Sequence, residues 1–263
     1  MGLIRKESFN VNKVIDVDKP FKLYKYQPIS DNRIETIKEN KLWLCKANYL
    51  NDPFDCNPYY YDETLIKKFI EDNNLFDQSK SANQEIITMI NRDIMEPFKS
   101  NIATSCFSNT NNNMPLWGNY AGNHTGMCVE YTFTVGDGFY SKVRPVVYKE
   151  ERFNISDIIL DILKGEIPKN QVKFDEMFDI FEELFRTKHT SWGYEKEWRY
   201  IGFDMKGTDI HGFALPFIKP TAIYLGMNCS EENINKIISN FDQTVKLYKL
   251  KMKNDKYFNL NEI

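Results

Sequence analysis

Ser191-Trp-Gly-Tyr-Glu-Lys-Glu-Trp-Arg-Tyr200 packs two of the chain's four tryptophans around a Glu-Lys-Glu-Trp-Arg core. Read as a β-strand, its period of two puts Glu195, Glu197 and Arg199 on one face and Tyr194, Lys196, Trp198 and Tyr200 on the other. The aromatic face is expected to pack on a core, with the stem of Lys196 along the rings, while the charged face looks into solvent or a cleft. A sheet with one apolar and one functional face is the fold this stretch implies.

Working outward, Phe21–Tyr26 alternates as a first strand, and Pro28-Ile-Ser-Asp31 ends it and caps a helix over residues 31–39. Lys41-Leu-Trp-Leu-Cys-Lys46 is a second strand that delivers the loop Asn51-Asp-Pro-Phe-Asp55. Asp62 caps a helix with Leu65, Ile66, Phe69 and Ile70 inward, a polar loop over residues 73–81 follows, and a second helix runs over 83–96. Strands are expected at 101–108, 126–133 and 143–148, the last two joined by the Gly136-Asp-Gly138 turn. Ile155, Ile158, Ile159 and Ile162 recur at helical spacing, and after Pro168 a Phe174–Phe185 stripe continues it, a pattern expected of core. Strands near 198–203, 213–217 and 222–226, a Ser230-capped helix and a strand over 245–252 complete the chain.

Strands with interspersed helices define an α+β class with a mixed, largely antiparallel sheet. Residues 1–20 read as an N-terminal extension and 21–263 as one α+β domain with helical insertions near 62–99 and 155–189. No linker or repeat divides the 263 residues, and 14% aromatic content is enough for a substantial core.

A net charge of −3 with dispersed Lys and Arg supplies no basic stripe for non-specific nucleic-acid binding. The first twenty residues lack a continuous apolar stretch, so neither a signal peptide nor a membrane span is expected, and the expected compartment is the cytoplasm. Five cysteines without a C-x-x-C pair, and three histidines without metal-ligand spacing, lead to expectations of reduced thiols and no metal.

Chemistry concentrates at four stations: Tyr24-Lys25-Tyr26, the Asn51–Asp55 loop, the segment from Thr104 to Gly126, and the opening stretch. A structural turn accounts for Asn51–Pro53, which leaves Asp55 as the candidate there. In the third station Ser105, Ser108, Trp117, Tyr120 and His124 stand out; the helix is expected to stop near Ala121, leaving His124 in a loop. Cys106 as a nucleophile with His124 as its base competes with a buried structural cysteine. At the fourth, a structural Glu195–Arg199 or Glu197–Arg199 ion pair competes with a glutamate that stabilises positive charge developing on a substrate. No nucleophile elbow, phosphate-binding loop or dinucleotide glycine motif is present.

Together, Tyr24-Lys-Tyr26, Leu42-Trp-Leu44 with Asn51-Asp-Pro-Phe-Asp55, Cys106-Phe-Ser108, Leu116-Trp117-x-x-Tyr120-x-x-x-His124-x-Gly126-x-Cys128 and Trp192-x-x-Glu195-x-Glu197-Trp-Arg199 resemble the bacterial family catalogued as domain of unknown function 2971 (DUF2971). More distantly, Glu195-Lys-Glu197 is similar to the Glu-x-Glu turn of ADP-ribosyltransferases, and Thr104-Ser105 with Ser108 loosely to their serine strand. Lys25 stands where that class carries arginine. This second resemblance implies NAD as substrate and an ADP-ribosyltransferase-like fold. Glu197 would hold the nicotinamide ribose and stabilise an oxocarbenium-like ribosyl, Glu195 would orient a protein or nucleic-acid acceptor, and Trp117 or Tyr120 would stack the nicotinamide. The expected protein is therefore an NAD-consuming transferase or glycohydrolase, an intracellular bacterial effector in phage defence or a toxin system. Two other readings stand beside it. One is a nuclease holding Mg²⁺ with Asp52, Asp55, Glu130 and Glu195; the other is a non-enzymatic sensor whose aromatic cleft binds a nucleotide or protein.

Overall fold

The computed structural model describes residues 19–57, 59–73, 88–89, 100–139, 142–165, 185–204, 211–253 and 256–262. The expected extension up to residue 18, the polar loop from residue 74 on, the 83–96 helix apart from 88–89, and the Phe174–Leu184 part of the stripe lie outside them. In chain order the elements begin β1 (Phe21–Gln27), α1 (Asp31–Lys38), β2 (Lys41–Lys46), β3 (Tyr59–Tyr60), α2 (Glu63–Asp72), β4 (Ile102–Ser108), α3 (Met114–Asn119) and β5 (Met127–Phe133). They continue with β6 (Val143–Pro145), β7 (Val147–Lys149), β8 (Phe153–Asn154), α4 (Ser156–Leu163), β9 (Thr187–His189) and β10 (Glu197–Phe203). The last are β11 (Gly212–Pro216), β12 (Ala222–Leu225), α5 (Glu231–Asn240), β13 (Lys246–Lys253) and β14 (Lys256–Glu262). Ten of these strands form one mixed sheet, antiparallel except where β12 runs parallel to β13. This is the α+β architecture expected from the alternating segments.

Alternation within the strands divides the sheet into two unlike faces. Leu23, Leu42, Leu44, Phe107, Val129, Tyr131, Phe133 and Tyr200 share one apolar cluster. Ile34 and Ile37 of α1 and Ile234 and Ile237 of α5 close it, each pair three apart and so on one helix face. Burying such aliphatic side chains stabilises the fold by about 1.5–3 kcal/mol each, before conformational entropy is set against it. The intervening residues Tyr24, Tyr26 and Cys128 point the other way, onto Trp117 and Ala121 at α3. Beyond the sheet, Ile66 and Ile70 of α2 pack with Ile155 and Ile159 at the start of α4 in a separate cluster.

Three local expectations are corrected. Thr190–Glu195 is a 3₁₀ turn instead of strand, and Lys196, at φ 48°, swings the chain from it into β10. Lys196 is consequently exposed, yet the left-handed step still leaves Glu195 and Glu197 both buried. The single strand expected over 143–148 is two, because the partner changes there: Val146 still donates its N–H to Glu197 O of β10, the partner of β6, while Val147 donates to Arg186 O and starts β7 beside β9. Leu65 is 41% exposed instead of inward, since Ile66 and Ile70 already occupy the buried stripe of α2. The Asp62 cap is present, its carboxylate accepting from Thr64 N and Leu65 N.

The turn that follows α3 is fixed by close backbone approach. Gly226 donates to Gly126 O at 2.9 Å, and a Cβ on Gly226 would lie 2.1 Å from His124 O. Gly226→Ala is therefore expected to lower stability by about 2 kcal/mol, the usual scale of overpacking. An unchanged urea midpoint would show that the backbone yields there at no cost.

Candidate functional site

The site follows from how β4 is paired. On one side β10 accompanies it along its whole length, from Glu197 opposite Ser108 to Phe203 opposite Ile102. On the other side two strands meet it at opposite ends: Tyr24 of β1 faces Ser108, and Cys45 and Lys46 of β2 face Thr104 and Ala103. Ser105, Cys106 and Phe107 pair with neither, so the sheet forks there. Lys25 reaches into the fork, its Nζ donating to Ser105 Oγ at 2.7 Å and Cys106 O at 3.4 Å, and lies 5.5 Å from the Phe107 ring centre. Burial holds its ammonium below the usual lysine range.

A cavity of about 340 Å³ opens at the fork. Tyr24, Lys25 and Tyr26 form its β1 wall; Trp43 and Cys45, then Tyr49 and Asn51, form the wall from β2 and the loop beyond it. Cys106 and Ser108 border it from β4, and Tyr120 from the residue capping α3. Its charged floor is made by Asp55, Lys188, Glu195 and Glu197.

The floor is a network of buried charges. Lys188 Nζ lies 2.7 Å from Glu195 Oε2, 3.2 Å from Glu197 Oε2 and 3.5 Å from Asp55 Oδ2, with the Trp192 ring centre at 4.6 Å. Arg199, 0% exposed, donates from Nε to Glu197 Oε1 at 2.6 Å, from one terminal nitrogen to Asp55 Oδ2 at 2.7 Å and from the other to Phe185 O at 2.8 Å. Glu195 also accepts from Tyr120 OH at 2.6 Å, and Asn51 Nδ2 donates to that phenol oxygen at 3.3 Å. Ser108 Oγ donates to the backbone O of Glu195 at 2.7 Å, while Tyr148 OH accepts from Glu197 N at 2.9 Å.

Unequal partners separate the two glutamates. Burial alone would raise both, but Arg199 and Lys188 hold Glu197 down to about 2. Glu195 has no contact with Arg199, and burial leaves its carboxyl above the usual range despite Lys188 and Tyr120. The carboxylates in turn raise both cations, so Lys188 and Arg199 stay charged.

Of the residues singled out in the sequence, Tyr24, Lys25, Tyr26, Asp55, Ser108, Tyr120, Glu195 and Glu197 line this one cavity. Ser105 and Arg199 support it from behind, through Lys25 and Glu197. Glu197 combines the two arrangements weighed for it, bordering the cleft while paired with Arg199. Two candidates fall elsewhere. Trp117 is fully buried with its indole N–H donating to Asn111 O, a core role that keeps it from stacking a ligand. His124 occupies a left-handed turn, stacks against Trp117 at 6.4 Å and does not border the cavity. Cys106 borders the cavity and His124 does not, and burial and nearby Glu197 push the Cys106 thiol well above its ordinary value, which disfavours a thiolate there.

The four carboxylates of the Mg²⁺ reading do not converge. Glu130 is held by Lys22, Thr221 and Tyr224, across β1 from β4, and Asp52 borders a neighbouring hollow. Among the described residues no three His, Cys, Asp or Glu side chains gather as a group able to hold a metal ion. Nor, among them, is any helix long and apolar enough to cross a membrane.

The central residue that sequence reasoning missed is Lys188. Two carboxylates and one guanidinium on a buried face leave charge that calls for a second cation, but nothing in the segment before Trp192 marks which lysine supplies it.

Residues 116–200 match the model of a family described as "Protein of unknown function (DUF2971)", which supports the resemblance to that family. The matched stretch contains Tyr120, Lys188, Glu195, Glu197 and Arg199, and leaves out β1, β2 and Asp55. No curated protein and no solved structure matches the chain.

The ion pairs set an acid limit. Because the folded value of Glu197 is depressed, its stabilising contribution is fully present above the ordinary carboxylate range and is lost as pH falls from about 4.5 toward about 2. Glu197→Gln is expected to cost about 3 kcal/mol at neutral pH and to flatten that part of the stability profile. Denaturant titrations at several acid pH values check this; a parallel profile for the variant would refute it. Tyr120→Phe removes a hydrogen bond that favours ionised Glu195 and is expected to raise its titration midpoint further, read by carboxyl carbon NMR.

Proposed function

We propose that the protein consumes NAD, as an ADP-ribosyltransferase or an NAD glycohydrolase. The observation that carries this reading is the charge balance of the cavity floor. On the floor itself Asp55, Glu195 and Glu197 are three carboxylates against the two cations Lys188 and Arg199, one negative charge in excess locally, while Lys25 on the β1 wall, its ammonium held below the usual lysine range, is the third cation at the cavity. Such a floor favours a ligand whose reacting end is positive. In NAD the ring–ribose C–N bond breaks with its electron pair passing to nicotinamide, so the positive charge moves from the ring onto the ribosyl carbon. A fixed carboxylate with little water around it stabilises that charge without reorganising.

Glu197, held rigid by Arg199, takes the role of stabilising the ribosyl and bonding its hydroxyl. Glu195, oriented by Tyr120 and Lys188, faces the nucleophile, either water or an acceptor group, and helps to take its proton. Its raised pKa suits proton transfer better than that of its neighbour. The expected setting, a cytoplasmic effector in phage defence or a toxin system, belongs to the same proposal.

One feature favours a second reading, a nucleotide-binding sensor without turnover: Glu197 is already satisfied by Arg199 at 2.6 Å and is not free to rearrange. Nicotinamide release from NAD by the purified protein, with and without protein or nucleic-acid acceptors, separates the two. Turnover is expected, and Glu197→Gln is expected to reduce kcat about 10²–10³-fold, the scale for removing one electrostatic stabiliser. NAD-dependent thermal stabilisation with no nicotinamide released would replace the enzyme with the sensor, and neither binding nor release would end both readings.

A further inference from the structure

The described residues place two large aromatic side chains in an unusual position on the β2 side of the cavity. Trp43 is 45% exposed and Tyr49 is 52% exposed, and both border the cavity. Their neighbours Leu42 and Leu44 are buried in the core, so alternation along β2 sends the indole to the cavity face. Large exposed apolar groups clustered at a cavity are informative in a way that scattered ones are not.

Both rings are also held in place. Gly212 of β11 pairs with Cys45, and a Cβ there would lie 2.9 Å from Trp43 Cζ2. The indole therefore rests against bare backbone, on ground that any side chain at position 212 would occupy. Tyr49 packs edge-on against His211 at 4.1 Å between ring centres. A half-exposed tryptophan seated on a glycine keeps its orientation while leaving part of its surface unused.

The cavity's volume of about 340 Å³ is near the lower end of the roughly 300–1,000 Å³ typical of small-molecule pockets. A dinucleotide whose ribosyl end reached the carboxylate floor would extend beyond it. β2 and β10 flank β4 on opposite sides, so the floor carried by β10 and the aromatic pair on the β2 side are separated by the width of that strand.

We propose that Trp43 and Tyr49 form the stacking seat for the purine base of the dinucleotide. The proposal rests on the NAD reading above and adds to it a second subsite with its own ligand chemistry. A planar base covers the exposed ring surface without requiring a hydrogen-bonding code, and this kind of contact is sensitive to removal of the ring.

The test uses two fragments as probes, adenosine monophosphate for the seat and nicotinamide mononucleotide for the floor, with affinities measured by calorimetry on the full chain. Trp43→Ala is expected to weaken adenosine monophosphate about tenfold or more and to leave nicotinamide mononucleotide unchanged, while Trp43→Phe retains most of the affinity. Tyr49→Ala should act in the same direction, and matching thermal melts show that the variants fold. Adenosine monophosphate binding equally to wild type and Trp43→Ala, or not at all to wild type, overturns the seat. If NAD is turned over and Trp43→Ala leaves both its KM and adenosine monophosphate affinity unchanged, the seat fails and the enzyme reading stands. If adenosine monophosphate binding depends on Trp43 and NAD is never cleaved, the seat stands and the enzyme reading fails.

Discussion

A guanidinium with no access to solvent sets the terms for this structure. Arg199 is 0% exposed, so its charge has to be answered entirely from within the protein. Asp55, Glu197 and the carbonyl of Phe185 answer it, which ties the loop after β2 and the segment before β9 to the start of β10. Two carboxylates then surround one cation and a third, Glu195, lies close by, so Lys188 is drawn in to balance them. The interior attraction offsets a desolvation cost of several kcal/mol per ion only because nearly every acceptor and donor is used. The network is thus a poor source of net stability and a strong constraint on which segments meet.

The two faces of the sheet divide the labour. One is filled by aliphatic and aromatic side chains under α1 and α5, and Trp198 and Tyr200 of β10 pack there. The other carries Glu197 and Arg199 from the same strand. Because successive residues of one strand serve opposite faces, β10 supplies Glu197 and Arg199 to the site without placing either of them in the main core.

That division is why much of the fold could be read in the sequence. Alternation in Phe21–Gln27, Lys41–Lys46 and Glu197–Phe203 carries the face assignments, and Asp62 and Ser230 cap their helices with their own side chains. The site was legible to the extent that it lies on strands, as Tyr24 and Lys25 of β1, Ser108 of β4 and Glu197 of β10 do. What escaped depends on long-range partners. Lys188 owes its role to carboxylates from three segments, and Trp43 looks like any strand aromatic until Gly212 is placed beneath it. Trp117 and His124 show the reverse: their spacing beside Tyr120 is local, while their place outside the cavity is set by Tyr26 of β1, against which Trp117 is buried, and by the left-handed turn beside Gly226 that holds His124 over the indole.

The fork at β4 has a mechanical corollary. β1 is bound to β5 through seven residue pairs and β2 to β11 through five, while each meets β4 through only one or two. Each branch is stiff within itself, and the seam between them is narrow. A molecule spanning both walls would therefore bridge the two branches where the fewest ladder pairs join them to β4, while the core cluster beneath holds Leu23 of one branch and Leu42 and Leu44 of the other.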